Sequence, residues 1–304
     1  MVTVAHGDRK AIADISQEGA KLRTITLEEH FVSPGFITGP GRGFIEQLRS
    51  RGARGERIFE QLQDVGDGRI AEMDAAGIDM QVLSLNAPGV EQAVGELDRR
   101  VRQQNFKGAL INGHTRGRYL DDKFFWPILE CAEALKVPIY LHPTVPLKSV
   151  ADALYGGFSP TVSGVFAAAG WGWHIETATH LIRMILGGVF DRYPKLQVVV
   201  GHLGEAVPFM LPRLNRNLPP EMTKLARPLA AYLRENVYYT FAGFNFPATF
   251  LNLYLEVGVD RIMFSVDHPY GSMTEARAFL DHIPVSPADR DRIAHGNAER
   301  LFNL

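Results

Sequence analysis

Short β-branched runs alternate with longer amphipathic segments along this chain. Runs of four to six residues, apolar on both faces, stand at Thr24–Leu27, Met80–Leu85, Gly108–Asn112, Pro138–Leu141, Leu196–Val200, Val237–Phe241 and Arg261–Val266. A run that is apolar on both faces predicts a parallel strand covered on two sides. Helical spacing fills the stretches Phe124–Leu135, Glu176–Leu186, Pro247–Val257 and Thr274–His282. In the first of these, Phe125, Ile128, Leu129, Ala132 and Leu135 recur at the period of one helix face. Strand–helix alternation with right-handed crossovers predicts a parallel α/β fold.

Seven strands are one short of the eight that close a (β/α)8 barrel. The deficit falls between Leu85 and Gly108, where the 22 residues Asn86–Lys107 leave room for one helix and little else. A helix, a strand and another helix would need roughly 40 residues, judged from a βαβ unit of about 30. Either the chain lacks one βα unit or a segment is missing from this sequence. Two long loops follow strand ends. Phe31–Arg69 is rich in Gly and Arg, and its arginines are expected on a solvated surface. Pro143–Ile175 carries Pro, Gly, Tyr155, Phe158, Phe166, Trp171 and Trp173. In barrels such loops build the active face. The expected organisation is an N-terminal extension over 1–22 and a single barrel domain over 23–304.

Composition narrows the class. Of 304 residues, 46% are hydrophobic and 22% charged, as in a compact globule rather than a disordered chain. With 32 Lys+Arg against 34 Asp+Glu the net charge is −2, which gives no steering toward nucleic acid or an anionic membrane. No apolar run reaches the roughly 18–20 residues of a spanning helix, and the polar opening has no signal-peptide core. Cys131 is the one cysteine, so no intrachain disulfide forms and the cytoplasm is the expected compartment.

Four groups of acids and imidazoles sit at strand ends: Glu28-Glu29-His30, His142-Pro143, His202-Leu203-Gly204-Glu205 and Asp267-His268-Pro269-Tyr270. Strand residues i and i+2 share a face, so Glu28 and His30 can reach one ion while Glu29 points away. One polar residue closing a strand is commonly a cap. Four such groups at equivalent ends are costly unless they pair or bind metal. Carboxylate and imidazole donors suit Zn²⁺, Mn²⁺ or a similar divalent ion.

LEEHF, YLHPT, GWGWHIETATH, GVFDRYPKLQVVVGHLGE and FSVDHPY together resemble the amidohydrolase superfamily. More narrowly they resemble its decarboxylase branch, the 2,3-dihydroxybenzoate and γ-resorcylate decarboxylases, with aminocarboxymuconate-semialdehyde decarboxylase further off. The resemblance runs from about Arg23 to Leu304. It implies a distorted TIM barrel with Glu28 and His30 on the first strand, His142 on the fifth, His202 on the sixth and Asp267 on the eighth, if the absent unit is the third. It implies one divalent metal (Zn²⁺ or Mn²⁺, with Mg²⁺ as a further candidate) on Glu28, His30, His142 and Asp267. His202 would polarise substrate or handle a proton, oriented by Glu205. Binuclear members carry a lysine where this chain has Asn112, which favours one metal. Arg213 matches a substrate-carboxylate contact, against the alternative of a surface salt bridge. His268 replaces the aromatic residue usual in the branch.

Three functions are open on these residues. The first is non-oxidative decarboxylation of an ortho-hydroxylated aromatic acid. In it Asp267 is the acid, Asn112 and Arg213 contact substrate, and Trp171, Trp173, Phe166 and Tyr270 form an apolar wall. It needs no organic cofactor. The second is hydrolysis of a lactone or amide through metal-bound water, with Asp267 as base. The third is a barrel without activity. The resemblance favours the first, and it further implies a homodimer or homotetramer. Among the other histidines, His180 is expected in the core with a local partner. His174 either lines the pocket or packs, His114 sits in a loop that approaches substrate, and His6, His282 and His295 are expected at the surface. Cys131 is expected to be a small core residue.

Overall fold

The computed structural model describes residues 2–5, 22–39, 41–85 and 90–304, so His6 lies outside the described residues. Its strands are β1 (Val2–Ala5), β2 (Ile25–Phe31), β3 (Met80–Leu85), β4 (Ala109–Asn112), β5 (Ile139–His142), β6 (Val198–Val200), β7 (Val237–Thr240) and β8 (Ile262–Met263). They form a parallel sheet in the order β4-β5-β6-β7-β8 and a second sheet in the order β1-β3-β2. β2 and β3 are parallel, and β1 runs antiparallel to β3.

Alternation along the strands shows how the two sheets curve around one interior. Ile25 and Leu27 of β2, Val82 of β3, Leu110 of β4, Tyr140 of β5, Val199 of β6, Tyr238 of β7 and Met263 of β8 pack into one buried cluster. Their neighbours Ile139, Leu141, Val198, Val200, Val237, Tyr239 and Ile262 face outward into the larger core beneath the helices. Strands buried on both faces in this way are the inner wall of an α/β barrel. In barrel terms β2 and β3 are the first and second strands, and β4 to β8 are the fourth to eighth.

Two seams remain between the sheets. At one, β2 meets the chain just past β8. The N–H of His30 donates to His268 O (2.8 Å), and the Glu29 carboxylate accepts from the N–H groups of Val266 and His268, each at 3.1 Å. At the other, no ladder joins β3 to β4 among the described residues. The chain runs from β3 through the helix Val90–Gln104 to β4, so one helix stands where a helix, a strand and another helix would be needed. β1 occupies the free edge of β3, with Val2 opposite Leu83 and Ala5 opposite Met80. It lies on the side of the absent third strand, within the 1–22 extension. An unpaired edge templates association with other chains. Deleting residues 1–5 is therefore expected to produce concentration-dependent aggregation, which light scattering over a dilution series would detect; an unchanged monodisperse profile would contradict it.

Both long loops are in fact largely helical. Pro34–Thr38, Arg42–Arg49, Ala53–Gln63 and Asp67–Ala76 are helices, and Ile45, Leu48, Ile58 and Leu62 close on Val32 as a small core of their own. Their i, i+3, i+4 spacing was masked in the sequence by the glycines and arginines around them. The arginines Arg42, Arg49, Arg51, Arg54 and Arg57 are solvent-exposed, whereas Arg69 is 2% exposed. Arg69 donates to the carbonyls of His30 (2.8 Å), Gln61 (3.0 Å) and Asp64 (2.8 Å), tying these helices beneath β2. The second loop holds the helices Lys148–Leu154 and Pro160–Ala167, and the helix Gly172–Leu186 begins earlier than its apolar periodicity predicts. No helix among the described residues is long and apolar enough to cross a membrane.

His180 is buried, and its Nε2 accepts the N–H of Leu120 at 2.9 Å. Cys131 packs partly buried against the main core. Burial first, then the charge of Arg183, pushes the His180 imidazole down to about 3. The unfolded chain therefore binds a proton here between about pH 6.5 and 3 that the folded chain does not. The contribution is fully present above about pH 6.5 and is lost as pH falls toward 3. At pH 5 this group is expected to cost about 2 kcal/mol relative to pH 7.5. Urea unfolding at both values, wild type against His180→Gln, reads it directly: the variant should lose less stability on acidification.

Candidate metal centre

Glu28, His30, His142 and Asp267 converge at the C-terminal mouth of the strands. One donor atom from each lies within 4.8 Å of all the others. His30 Nε2 stands 3.2 Å from Asp267 Oδ1, and His142 Nε2 stands 3.4 Å from Glu28 Oε1, neither in hydrogen-bonding alignment. Simple alternation does not bring them there. β2 shifts register between Thr26 and Glu29, and Glu28 adopts φ +63°. The bulge turns Glu28 into the barrel beside His30 and leaves Glu29 on the far side, bonded to Val266 and His268. Asp267 is likewise left-handed, at φ +68°. Non-glycine residues in this region are sparse and cluster where surrounding structure enforces them.

The donors fit a divalent cation. Glu28 Oε2 accepts from the Tyr140 hydroxyl, which is itself 2.6 Å from Thr240 Oγ1. Glu28 Oε1 and His30 Nε2 are buried and bonded to nothing in the structure, an expensive arrangement unless an ion completes it. His142 Nδ1 lies 2.9 Å from Pro143 O; donation there leaves the Nε2 lone pair facing the cluster. Burial keeps both imidazoles neutral, as ligands must be: His30 is pushed down to about 4 and His142 well below its ordinary value. Burial also raises Glu28 to about 8, and raises Asp267 to about 7 against the opposing charge of His202. Gly201 leaves the room this packing needs, since a Cβ there would fall 2.6 Å from Glu28 Oε2.

A second group stands beside the first. His202 Nδ1 lies 2.7 Å from Glu205 Oε1, and His174 Nδ1 lies 2.5 Å from Glu205 Oε2. His202 and Glu205 sit on a tight turn after β6 in which His202, Leu203, Glu205 and Ala206 all have positive φ. Burial alone would discharge His202, but the Glu205 carboxylate, with Glu28 and Asp267 behind it, holds it at about 10. Against the same burial, the His202 and His174 imidazoles hold Glu205 below the ordinary carboxylate range.

The remaining sequence candidates are placed unevenly. Asn112 ends β4 directly opposite His142 in the ladder. The Tyr270 ring lies 5.6 Å from that of His30 at the rim. Trp173 borders the second group and donates from Nε1 to His174 Nε2 (3.2 Å), while Trp171 is half exposed. Phe166 packs instead on Tyr155 and Phe158. Arg213 is solvent-exposed on the helix Val207–Asn217, and the structure does not bring it into the cluster. His268 is not among the four donors, and its Nδ1 lies 3.9 Å from Glu72. His114 packs near Tyr119. Two contributors escaped the sequence reading. Phe244 lies 5.3 Å from the rings of both His174 and His202. Tyr140 reads as a core residue because its hydroxyl lies inside the barrel. The one usable signal for Tyr140 was its position two residues before His142 on the same strand.

A barrel with this donor set at its mouth defines a metal-dependent enzyme fold of the amidohydrolase type. The amidohydrolase family model matches residues 45–304, and the chain belongs to that family. A γ-resorcylate decarboxylase from Polaromonas sp. is 33% identical over 92% of this chain and 98% of its own length. That match extends over 339 positions, whereas 92% of 304 residues is about 280, so about 60 positions are gaps in this chain. The gaps leave room in the relative for a unit of the size absent here. The structure of a dihydroxybenzoic acid decarboxylase from Polaromonas sp., with manganese and 2-nitroresorcinol, superposes with TM-score 0.81 at 31% identity, covering 93% of this chain and 97% of the other. A 5-carboxyvanillate decarboxylase from Novosphingobium aromaticivorans, with manganese and a nitrobenzoic acid, gives 0.84 at 29%, covering 96% and 99%. A 2-amino-3-carboxymuconate-6-semialdehyde decarboxylase from Dictyostelium discoideum stands further off, at 24% identity over 73% of this chain and 60% of its own length.

Proposed function

We propose that the protein is a carboxy-lyase that removes CO2 from an ortho-hydroxylated aromatic acid and releases the phenol. The observation that carries this reading is the four-donor cluster with two orphaned buried donor atoms beside His202 and Glu205, in a chain whose relatives over nearly its whole length are decarboxylases of hydroxylated aromatic acids. Glu28, His30, His142 and Asp267 would hold one divalent ion, which would supply positive charge beside the substrate's acidic oxygens. Manganese occupies the two solved relatives, and the same donors accept zinc.

The chain's own residues carry the rest. Asp267, at the mouth beside the other donors, is placed to give a proton to the ring carbon bearing the carboxylate. His202, positively charged and held through Nδ1, directs Nε2–H at a substrate oxygen that takes back negative charge as the C–C bond breaks. The C–C bond then breaks, its electron pair restores the aromatic ring, CO2 departs, and solvent returns a proton to Asp267. Neither an oxidant nor an organic cofactor enters this balance. Tyr270, Trp173 and Phe244 flank the substrate's faces, and Asn112 stands beside His142.

Leu154, Val162 and Val165 on the helices after β5, with Phe158 between them, expose apolar surface, which supports self-association as a homodimer or homotetramer; the cytoplasm is the compartment expected from the single cysteine. Light scattering on the purified protein decides the oligomeric state. The test of function is a panel of 2-hydroxylated benzoates with Zn²⁺, Mn²⁺ or Mg²⁺ supplied separately, followed by chromatography of acid and phenol. Metal-dependent phenol formation supports the reading. A folded, metal-loaded protein that leaves every acid intact but opens a lactone would replace it with hydrolysis.

A further inference from the structure

We propose that His174 is a positioning residue for His202, acting through Glu205, and that it links the aromatic loop before it to the reacting centre. This rests on the decarboxylase reading above and names a residue that neither the donor cluster nor the His202–Glu205 pair includes.

Glu205 is 1% exposed, and each of its oxygens faces one imidazole: Oε1 faces His202 Nδ1 at 2.7 Å and Oε2 faces His174 Nδ1 at 2.5 Å. An ionised carboxylate only accepts, so both Nδ1 atoms carry the proton. Glu205 is thus gripped from both sides, and its remaining rotation, about the bond that carries the two oxygens, is stopped by His174. The need for such a grip is visible in the backbone. Four of the five residues from His202 to Ala206 are non-glycine residues with positive φ, a conformation that persists only when the surroundings over-determine it.

His174 is itself anchored on its far side. Its Nε2 accepts from Trp173 Nε1 at 3.2 Å, while its backbone N–H donates to Trp171 O at 3.0 Å. The rings of His174 and His202 meet edge to face at 4.8 Å, and Phe244 closes the third side. A shift of the 168–173 segment therefore reaches His202 through one side chain and one carboxylate. Without His174, Oε2 of a buried carboxylate loses its donor and His202 loses its fixed aim. A site loosened in this way loses rate before it loses binding.

The experiment compares His174→Phe, which keeps the ring without its N–H groups, with His174→Asn, whose amide N–H falls near the position of Nδ1. In His174→Phe, kcat is expected to fall roughly 10–100-fold, the range of one hydrogen bond to a buried charge, with KM within about threefold. In His174→Asn most of kcat should return. Manganese content and Tm measured on the same samples should stay close to wild type in both. Proton NMR of the zinc-loaded protein should show the His202 Nδ1–H as a slowly exchanging downfield resonance, assigned by its loss in His202→Asn. It should be broadened in His174→Phe and restored in His174→Asn. Unchanged kcat in His174→Phe, a change confined to KM, or equal loss in both variants overturns the proposal. The NMR arm needs no substrate. A wild type that decarboxylates nothing but shows the expected resonance pattern leaves the His174 clamp standing and removes only the decarboxylase reading.

Discussion

Asp267→Asn is expected to reduce phenol formation roughly 10²–10⁴-fold, the range spanned by loss of a positioned acid. Asp267 has two tasks at one carboxyl. It stands 3.2 Å from His30 Nε2 within the donor cluster, and at the barrel mouth it is placed to pass a proton to the substrate. Asparagine nearly matches its shape and keeps an oxygen toward the cluster, but an amide cannot deliver a proton to carbon. The loss should fall on kcat more than on KM, because substrate binding draws on the other donors and the aromatic walls as well. Single-turnover kinetics with metal content determined on the same sample separates the acid role from ligation. A variant that binds manganese as the wild type does and still turns over at more than about a tenth of its rate would remove Asp267 as the acid.

Glu28→Gln should stabilise the metal-free protein at alkaline pH and lose most of the stabilisation that metal brings. In the metal-free protein Glu28 is fully buried with Oε1 unbonded, and burial raises its carboxyl from 4.5 to about 8. Between those values the folded protein holds a proton that the unfolded chain has lost, so stability falls as pH rises through that window. Glutamine carries no charge to bury. The metal-free variant is therefore expected to be as stable as wild type near pH 4.5 and more stable by a few kcal/mol at pH 8. Metal works in the other direction and narrows that gap. An ion present at 100 times its dissociation constant stabilises by about 2.7 kcal/mol, and the variant, lacking a charged ligand, should gain little of that. Urea titrations at two pH values, each with and without Mn²⁺, give all the comparisons. Equal metal stabilisation of both proteins would exclude Glu28 as a ligand.

Much of the site was legible in the sequence because strand ends are marked by composition. Apolar runs broken by Glu28, His30, His142, His202 and Asp267 announce where polar side chains meet the barrel mouth, whatever the strands' exact limits. The missing βα unit was equally plain, since 22 residues cannot hold it. The helices between Pro34 and Ala76 were not. Their apolar stripe is narrow, and Arg69, which reads as a surface cation, is buried against three carbonyls, one of them supplied by the distant His30.

Sequence by itself determined which donor types exist and at which strand ends, and those properties follow from hydrophobic period and spacing, which act locally. Their order around the barrel was implied by the family resemblance. Tertiary structure decided what no local rule contains. The bulge in β2 and the left-handed backbone at Glu28 and Asp267 aim the donors at one point, and they hold only because packing around them enforces them. β1 lies on the edge of β3, a pairing across about 80 residues that a four-residue run cannot signal. His174 reaches Glu205 across 31 residues because the helix Gly172–Leu186 and the turn after β6 pack together. Contacts of that kind belong to the folded chain, since their partners become neighbours only when the core is complete.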